Sequence, residues 1–263
     1  MGKTVVPPLP YPTPRGLLKG KNVLVTAAAG TGIGFATAKR CAEEGATIFV
    51  SDIHERRLAE AVEKLNAVSA TKVQSKLCDV TKEADVRALV DAAIAGLGHV
   101  DVLVNNAGLG GSAPIVEMTD DQWHKVIDVT LTSVFRMTRA VLPHMYSRKT
   151  GAIVNNASVL GWRAQELQSH YAAAKAGVMA FTRCAAIEAA EQGVRINAVA
   201  PSIAMHEFLN KVTSSELLAE LSAREAFGRP AETWEIANAM VFLACDLSSY
   251  MTGEILSVSS QRA

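Results

Sequence analysis

The chain has 263 residues, 49% of them hydrophobic, and its 26 basic and 26 acidic side chains give a formal net charge of zero. That length suits one large domain with a full core, and the composition excludes a disordered chain. The charge balance argues against a nucleic-acid partner or a membrane surface, since either calls for a concentrated basic field.

The first stretch, MGKTVVPPLPYPTPRG (1–16), carries five prolines. It reads as an extended arm that docks on the surface or stays mobile, ahead of a single domain over 17–263. No segment resembles a signal peptide or a membrane span. Cys41, Cys78, Cys184 and Cys245 are scattered without a CxxC pair. They read as reduced, mostly buried thiols of a cytoplasmic protein, and no metal site is expected.

From Gly20 onward, short β-branched runs alternate with amphipathic or alanine-rich stretches. NVLVT (22–26) precedes a helix near 33–44, and TIFVS (47–51) precedes one over 55–67. VQSKL (73–77) leads to a helix over 83–95, and VDVLVN (100–105) to a long helix running from Asp120 to Tyr146. Thr119 and Gln122 form a capping-box pattern at its start. GAIVNN (151–156), a helix over 171–190, VRINAVA (194–200), a helix over 233–245 and the strand EILSV complete the rhythm. Continuous apolar strands separated by helices predict an α/β fold, a parallel sheet covered on both faces. Residues 203–229 interrupt the pattern as an insertion at the carboxyl edge of the sheet, where ligands bind in such folds.

TAAAGTGIG (26–34) follows the first strand and opens the first helix. Free backbone N–H groups and a helix dipole meet there, as a dinucleotide pyrophosphate requires. Asp52 ends the second strand, where a carboxylate accepts from an adenosine ribose and repels a 2′-phosphate; it also stands where a helix N-cap would. Arg56 and Arg57 follow and would blunt that discrimination if they faced the site. NAD is expected over NADP. Asp79 ends the third strand, within reach of an adenine, and NNAG (105–108) ends the fourth with small residues.

Tyr171 and Lys175 lie one turn apart on a helix, and Ser158 precedes them at the end of the fifth strand. A phenol is a weak base near neutrality, so an adjacent ammonium and a cationic nicotinamide are expected to lower its pKa.

The NNAG stretch and the Ser158, Tyr171-x-x-x-Lys175 arrangement resemble the short-chain dehydrogenase/reductase family, over about 18–258. The resemblance implies an α/β, Rossmann-like doubly wound parallel sheet, with Tyr171 as general acid/base, Lys175 as its tuner and ribose ligand, and Ser158 as holder of the carbonyl. Thr130 stands where the family has a catalytic asparagine in a water relay. Cofactor contacts are implied for Ala28, Gly30, Thr31, Gly32, Ile33, Asp52, Asp79, Val80, Asn106, Ala107, Gly108, Tyr171, Lys175 and Ala204, and a homotetramer built on the two long helices. The family's TGxxxGxG turn here has one extra residue and lacks its first glycine, with Gly30 expected to supply the permissive backbone. Pro201-Ser202 replaces the usual PG, and SSQ the closing DGG.

These departures are themselves similar to an actinobacterial branch of steroid breakdown that oxidises a hydroxyl on a fused-ring acyl-CoA. The resemblance implies a bulky hydroxyacyl-CoA substrate; a 3-oxoacyl-thioester reductase is the alternative, and a dinucleotide sensor without catalysis a third. Met205, Phe208, Leu209, Leu217, Leu218 and Leu221 read either as an apolar lid or as helix packing, with packing favoured for most of the leucines. Trp162 and Arg163 flank the same region, Arg163 as an anion ligand or a solvated charge.

Overall fold

Alternation within the strands decides the architecture. Val23, Val25, Val102, Val104, Ala152 and Val154 join one apolar cluster, while Leu24, Leu103 and Ile153 join another on the opposite face. Successive strand residues point to opposite faces, so strands apolar at every position need cover on both sides. The computed structural model, which describes residues 4–207, 209 and 214–260, supplies it.

Seven parallel strands form the sheet: β1 (Asn22–Val25), β2 (Thr47–Asp52), β3 (Gln74–Leu77), β4 (Val102–Asn105), β5 (Gly151–Asn156), β6 (Val194–Pro201) and β9 (Ile255–Val258), in the order β3-β2-β1-β4-β5-β6-β9. Helices α1 (Ile33–Glu43), α2 (Glu55–Asn66) and α8 (Thr233–Ala244) cover one face. Helices α3 (Glu83–Leu97), α5 (Ser133–Arg148) and α6 (Ser169–Ala190) cover the other. The expected doubly wound fold is thus observed. The chain leaves β1 toward β2 on one side and returns as β4 on the other, which opens a crevice at their carboxyl ends.

The long helix expected over 120–146 is not continuous. It is α4 (Asp120–Ile127) and α5 joined by a π turn over Asp128–Thr132. The Ser133 hydroxyl donates to the Val129 carbonyl at 2.7 Å and that of Thr132 to Ile127 at 3.4 Å, so side chains compete for carbonyls where the helix widens. The capping box between Thr119 and Gln122 forms as predicted.

The insertion over 203–229 closes at its base through a short parallel ladder of β7 (Ala204–Met205) with β8 (Ala231–Glu232), and contains α7 (Ser215–Arg224). Phe208 lies outside the described residues. The proline-rich arm docks: Tyr11 packs edge-on against Trp234 at 5.3 Å, beneath the cations of Lys39 and Arg40. Among the described residues, no helix is long and apolar enough to cross a membrane.

Candidate active site

The glycine-rich turn keeps two left-handed residues, Ala27 at φ 49° and Gly30 at φ 89°. Gly30 thus supplies the permissive backbone expected of it, and Ala27 adopts a second left-handed backbone, at a cost of about 1 kcal/mol for a residue with a Cβ. The Asn106 amide holds it in place, donating to the Ala27 carbonyl at 2.9 Å and to that of Thr26 at 3.3 Å. Gly32 is the N-cap of α1, with no side chain to cap the helix, and no acidic residue stands in the first turn. A Cβ at Gly30 or Gly32 would meet open space. An uncapped helix N-terminus beneath an open glycine floor fits the pyrophosphate of a dinucleotide.

Gly34 serves a different purpose. A Cβ there would lie 2.3 Å from the Asn106 amide nitrogen and 2.4 Å from the Ala27 carbonyl. Replacing Gly34 with Ala gains about 1 kcal/mol of helix propensity but forces apart the brace that holds the turn, a cost of about 1–3 kcal/mol. The clash wins: the G34A protein is expected to melt several degrees lower and to bind dinucleotide more weakly, as measured by thermal unfolding and cofactor titration.

Ala28 is a correction. It has no exposed surface, and its N–H goes to the Ser51 carbonyl at 3.0 Å, so it forms the footing of the turn and offers nothing for a cofactor to touch. Asp52 is 8% exposed and is not the N-cap of α2, which is His54. Its carboxylate accepts from the Ala29 N–H at 3.2 Å and the His54 N–H at 3.0 Å, tying β2 to the turn. Burial raises its pKa, against the Ala29 N–H and the charge of Arg57. Asp79 accepts from the backbone and hydroxyl of Thr81 at 3.0 and 2.6 Å. Burial pushes its pKa up, but these bonds and Lys82 bring it below the usual range. Val80 is half-buried beside it.

At the end of β4, Ala107 is buried and Gly108 exposed. A Cβ on Gly108 would sit 3.5 Å from the Lys175 ammonium nitrogen and 3.9 Å from the Thr130 hydroxyl, so the loop, Thr130 and Lys175 converge. The Thr130 hydroxyl accepts from the Leu109 N–H at 2.9 Å and donates to the Leu109 carbonyl at 3.0 Å. Its one proton is spent on that loop, so the hydroxyl is a clamp and has no donor left for a water relay.

Ser158 lies two residues beyond β5 and accepts from the Leu160 N–H at 3.2 Å. Tyr171 and Lys175 occupy successive turns of α6, the ammonium nitrogen 5.5 Å from the centre of the phenol ring. Lys175 is 2% exposed and donates to the Asn156 carbonyl. Burial pushes the Tyr171 phenol up to about 12, with a hydrogen bond to Ser158 pulling the other way. Burial alone pushes Lys175 down to about 7. Among the protein's own groups desolvation dominates both shifts, and it outweighs the lowering of the phenol expected from the neighbouring lysine.

The sequence reading missed Asn156. Its side-chain amide donates to Asn106 Oδ1 at 3.0 Å while its carbonyl receives Lys175, so one residue joins the turn to the reactive pair. The polar pair Asn155-Asn156 ending an apolar strand was the available signal. A cleft of about 910 Å³ opens over these residues, bounded by Ile33, Ser158, Tyr171, Ala204, His206 and Arg163, with Leu209, Leu217 and Leu221 opposite. Thr31 accepts from the Glu207 N–H at 3.4 Å, which brings the insertion over the turn. The packing reading is overturned for Leu217 and Leu221, because α7 buries no side chain and both line the cleft.

A doubly wound sheet with this constellation at its switch point defines a nicotinamide-dependent oxidoreductase. The chain belongs to the short-chain dehydrogenase/reductase family and acts on a hydroxyl/ketone couple; a family model described as enoyl-(acyl carrier protein) reductase matches residues 27–260. It is 63% identical over 247 residues, 94% of each chain, to a (5R,7aS)-5-hydroxy-7a-methyl-1-oxo-2,3,5,6,7,7a-hexahydro-1H-indene-carboxyl-CoA reductase of Mycobacterium tuberculosis. A 3-oxoacyl-(acyl-carrier-protein) reductase of Thermotoga maritima is 38% identical, with 92% of this chain and 97% of that protein aligned. A short-chain dehydrogenase from Mycobacterium smegmatis superposes with a TM-score of 0.85 at 55% identity, covering 100% and 99% of the two chains.

Proposed function

We propose that the protein interconverts a secondary alcohol and a ketone on a bulky hydroxyacyl-CoA, with NAD as its dinucleotide. The placement of Ser158 and Tyr171 in the lining of the 910 Å³ cleft, with Lys175 buried 5.5 Å from the centre of the phenol ring, carries this reading. The bound nicotinamide supplies the two-electron acceptor for hydride. Tyr171 takes the hydroxyl proton as the carbon loses hydride and the C–O bond becomes C=O; in reduction it returns that proton to the oxygen. Ser158, in contact with the phenol, holds the reacting oxygen beside it. Lys175 would hold the ribose of the bound dinucleotide, from an ammonium anchored on the Asn156 carbonyl. Thr130 acts by positioning the 108–109 loop.

The bicyclic thioester is supported by the substrate in the Mycobacterium tuberculosis relative's name and by the volume of the cleft. A panel of hydroxylated indane acyl-CoAs, short 3-hydroxyacyl-CoAs and free steroids tests it; preference for a short straight chain rejects it in favour of the 3-oxoacyl reductase reading. The balance of NAD over NADP rests on Asp52, whose buried carboxylate would face a 2′-phosphate. Substituting Asp52 with Ala is expected to cut the preference for NAD by about tenfold or more, an energetic change of about 1.4 kcal/mol, read as the ratio of kcat/KM for the two dinucleotides. An unchanged ratio overturns that assignment.

The scattered free cysteines, three of the four buried, favour a cytoplasmic setting. Phe135 on α5 and Ile187 on α6 are 41% and 75% exposed, and we assign these helices to the contacts of a homotetramer, which light scattering on the purified protein tests.

A further inference from the structure

We propose that the proline-rich arm is a strap that fixes the position of α7, and so tunes the substrate cleft for bulky ligands, with Arg229 as the coupling residue. The inference rests on reading that cleft as the substrate site. Helix α7 supplies Leu217, Glu220, Leu221 and Arg224 to the cleft wall, yet none of its side chains is buried. A 10-residue helix without a buried face is not held by its own packing. Its position is therefore set by how the chain is gripped where it leaves the helix.

Two chain termini supply that grip. Glu225, 1% exposed, accepts from the Ser260 hydroxyl at 2.7 Å, and the Ala226 N–H reaches the Ser260 carbonyl at 3.1 Å. The arm holds the next three residues. The Val6 N–H donates to the Phe227 carbonyl at 2.9 Å, and Arg229 Nε donates to the Val6 carbonyl at 2.8 Å. Gly228 turns at φ 66° where a Cβ would lie 3.3 Å from the Thr4 carbonyl. The guanidinium of Arg229 also makes a two-pronged ion pair with Glu235 of α8 at 2.7 and 2.9 Å. One side chain thus joins the arm, the exit from α7 and the core.

A strap needs a second fixed end. Arg15 and Leu17 donate their N–H groups to the Glu44 carboxylate at 2.9 and 3.0 Å. Tyr11 is wedged against Trp234, with its hydroxyl on Glu43. Between these anchors and Val6, prolines keep the chain extended with little conformational entropy left to lose, so the strap is stiff.

The test uses Val6→Pro, which deletes one donor at a residue already restricted by the following proline. A chain shortened to start at Leu9 and an Arg229→Lys variant accompany it. Hydrogen exchange of residues 214–229 is read beside kcat and KM for a bulky hydroxyacyl-CoA and for a small secondary alcohol. The expected result is exchange in 214–229 at least about tenfold faster. KM for the bulky substrate rises about 5- to 20-fold, with kcat on the small alcohol and dinucleotide affinity within about twofold. The lysine variant should fall between, because it reaches Val6 or Glu235 but not both. Unchanged exchange together with unchanged KM overturns the proposal. If the unaltered protein does not turn over the bulky thioester, the substrate reading fails, while the exchange data still decide on the strap.

Discussion

Replacing Tyr171 with Phe is expected to lower kcat by about 10²–10⁴-fold while leaving the melting temperature and dinucleotide binding nearly unchanged. The substitution removes one hydroxyl, whose partner Ser158 keeps its bond to the Leu160 N–H. Turnover that survives this change would remove the phenol from the reaction. The two directions should also differ in pH dependence. With the phenol at about 12, its O–H is present throughout the neutral range, as ketone reduction needs. Alcohol oxidation needs the phenolate, so its rate should climb with pH above neutrality. Initial rates in both directions between pH 6 and 10 check the sign.

Replacing Lys175 with Met is expected to do two opposite things: abolish most turnover and stabilise the dinucleotide-free protein in mild acid. The unfolded lysine titrates near 10.5 and the folded one near 7. Below pH 7 both states carry the proton, and the folded state bears the whole cost of a buried ammonium. Between those values the unfolded chain binds more protons, so stability rises with pH; above about 10.5 the penalty is gone. The shift corresponds to about 4–5 kcal/mol, and loss of the bond to Asn156 returns about 1–2 kcal/mol of that. A net gain of about 3 kcal/mol at pH 6, vanishing by pH 10, is the expected unfolding profile. A Met variant less stable at pH 6 would show that the lysine is not penalised by burial. That contrast is the one expected of a group kept for chemistry at the expense of stability.

The candidate reactive set was legible because its signals are local. Tyr171 and Lys175 share a helix face by spacing alone, and the strand carrying Ser158 is apolar enough to locate. The same holds for the sheet, whose strands fall within two residues of their expected ends. The errors were about environment. The sign of the tyrosine shift depends on how deeply the phenol itself is buried, which depends on β5, the loop after it and α6 closing together. Thr130 was legible as a residue near the site, but its role depends on a Leu109 backbone that only the fold brings to it.

By itself the sequence determined the sheet, the candidate site's chemical groups and the location of the glycine-rich turn, because hydrophobic period and residue spacing act over a few residues. Only tertiary structure decided that Asn156 couples turn to lysine, that α7 faces a cleft rather than a core, and that the arm grips residues 227–229. Those are contacts between segments 50 or more residues apart, from Asn106 to Asn156 and from Val6 to Arg229. Burial and desolvation arise from such contacts, and no local pattern of residues carries them.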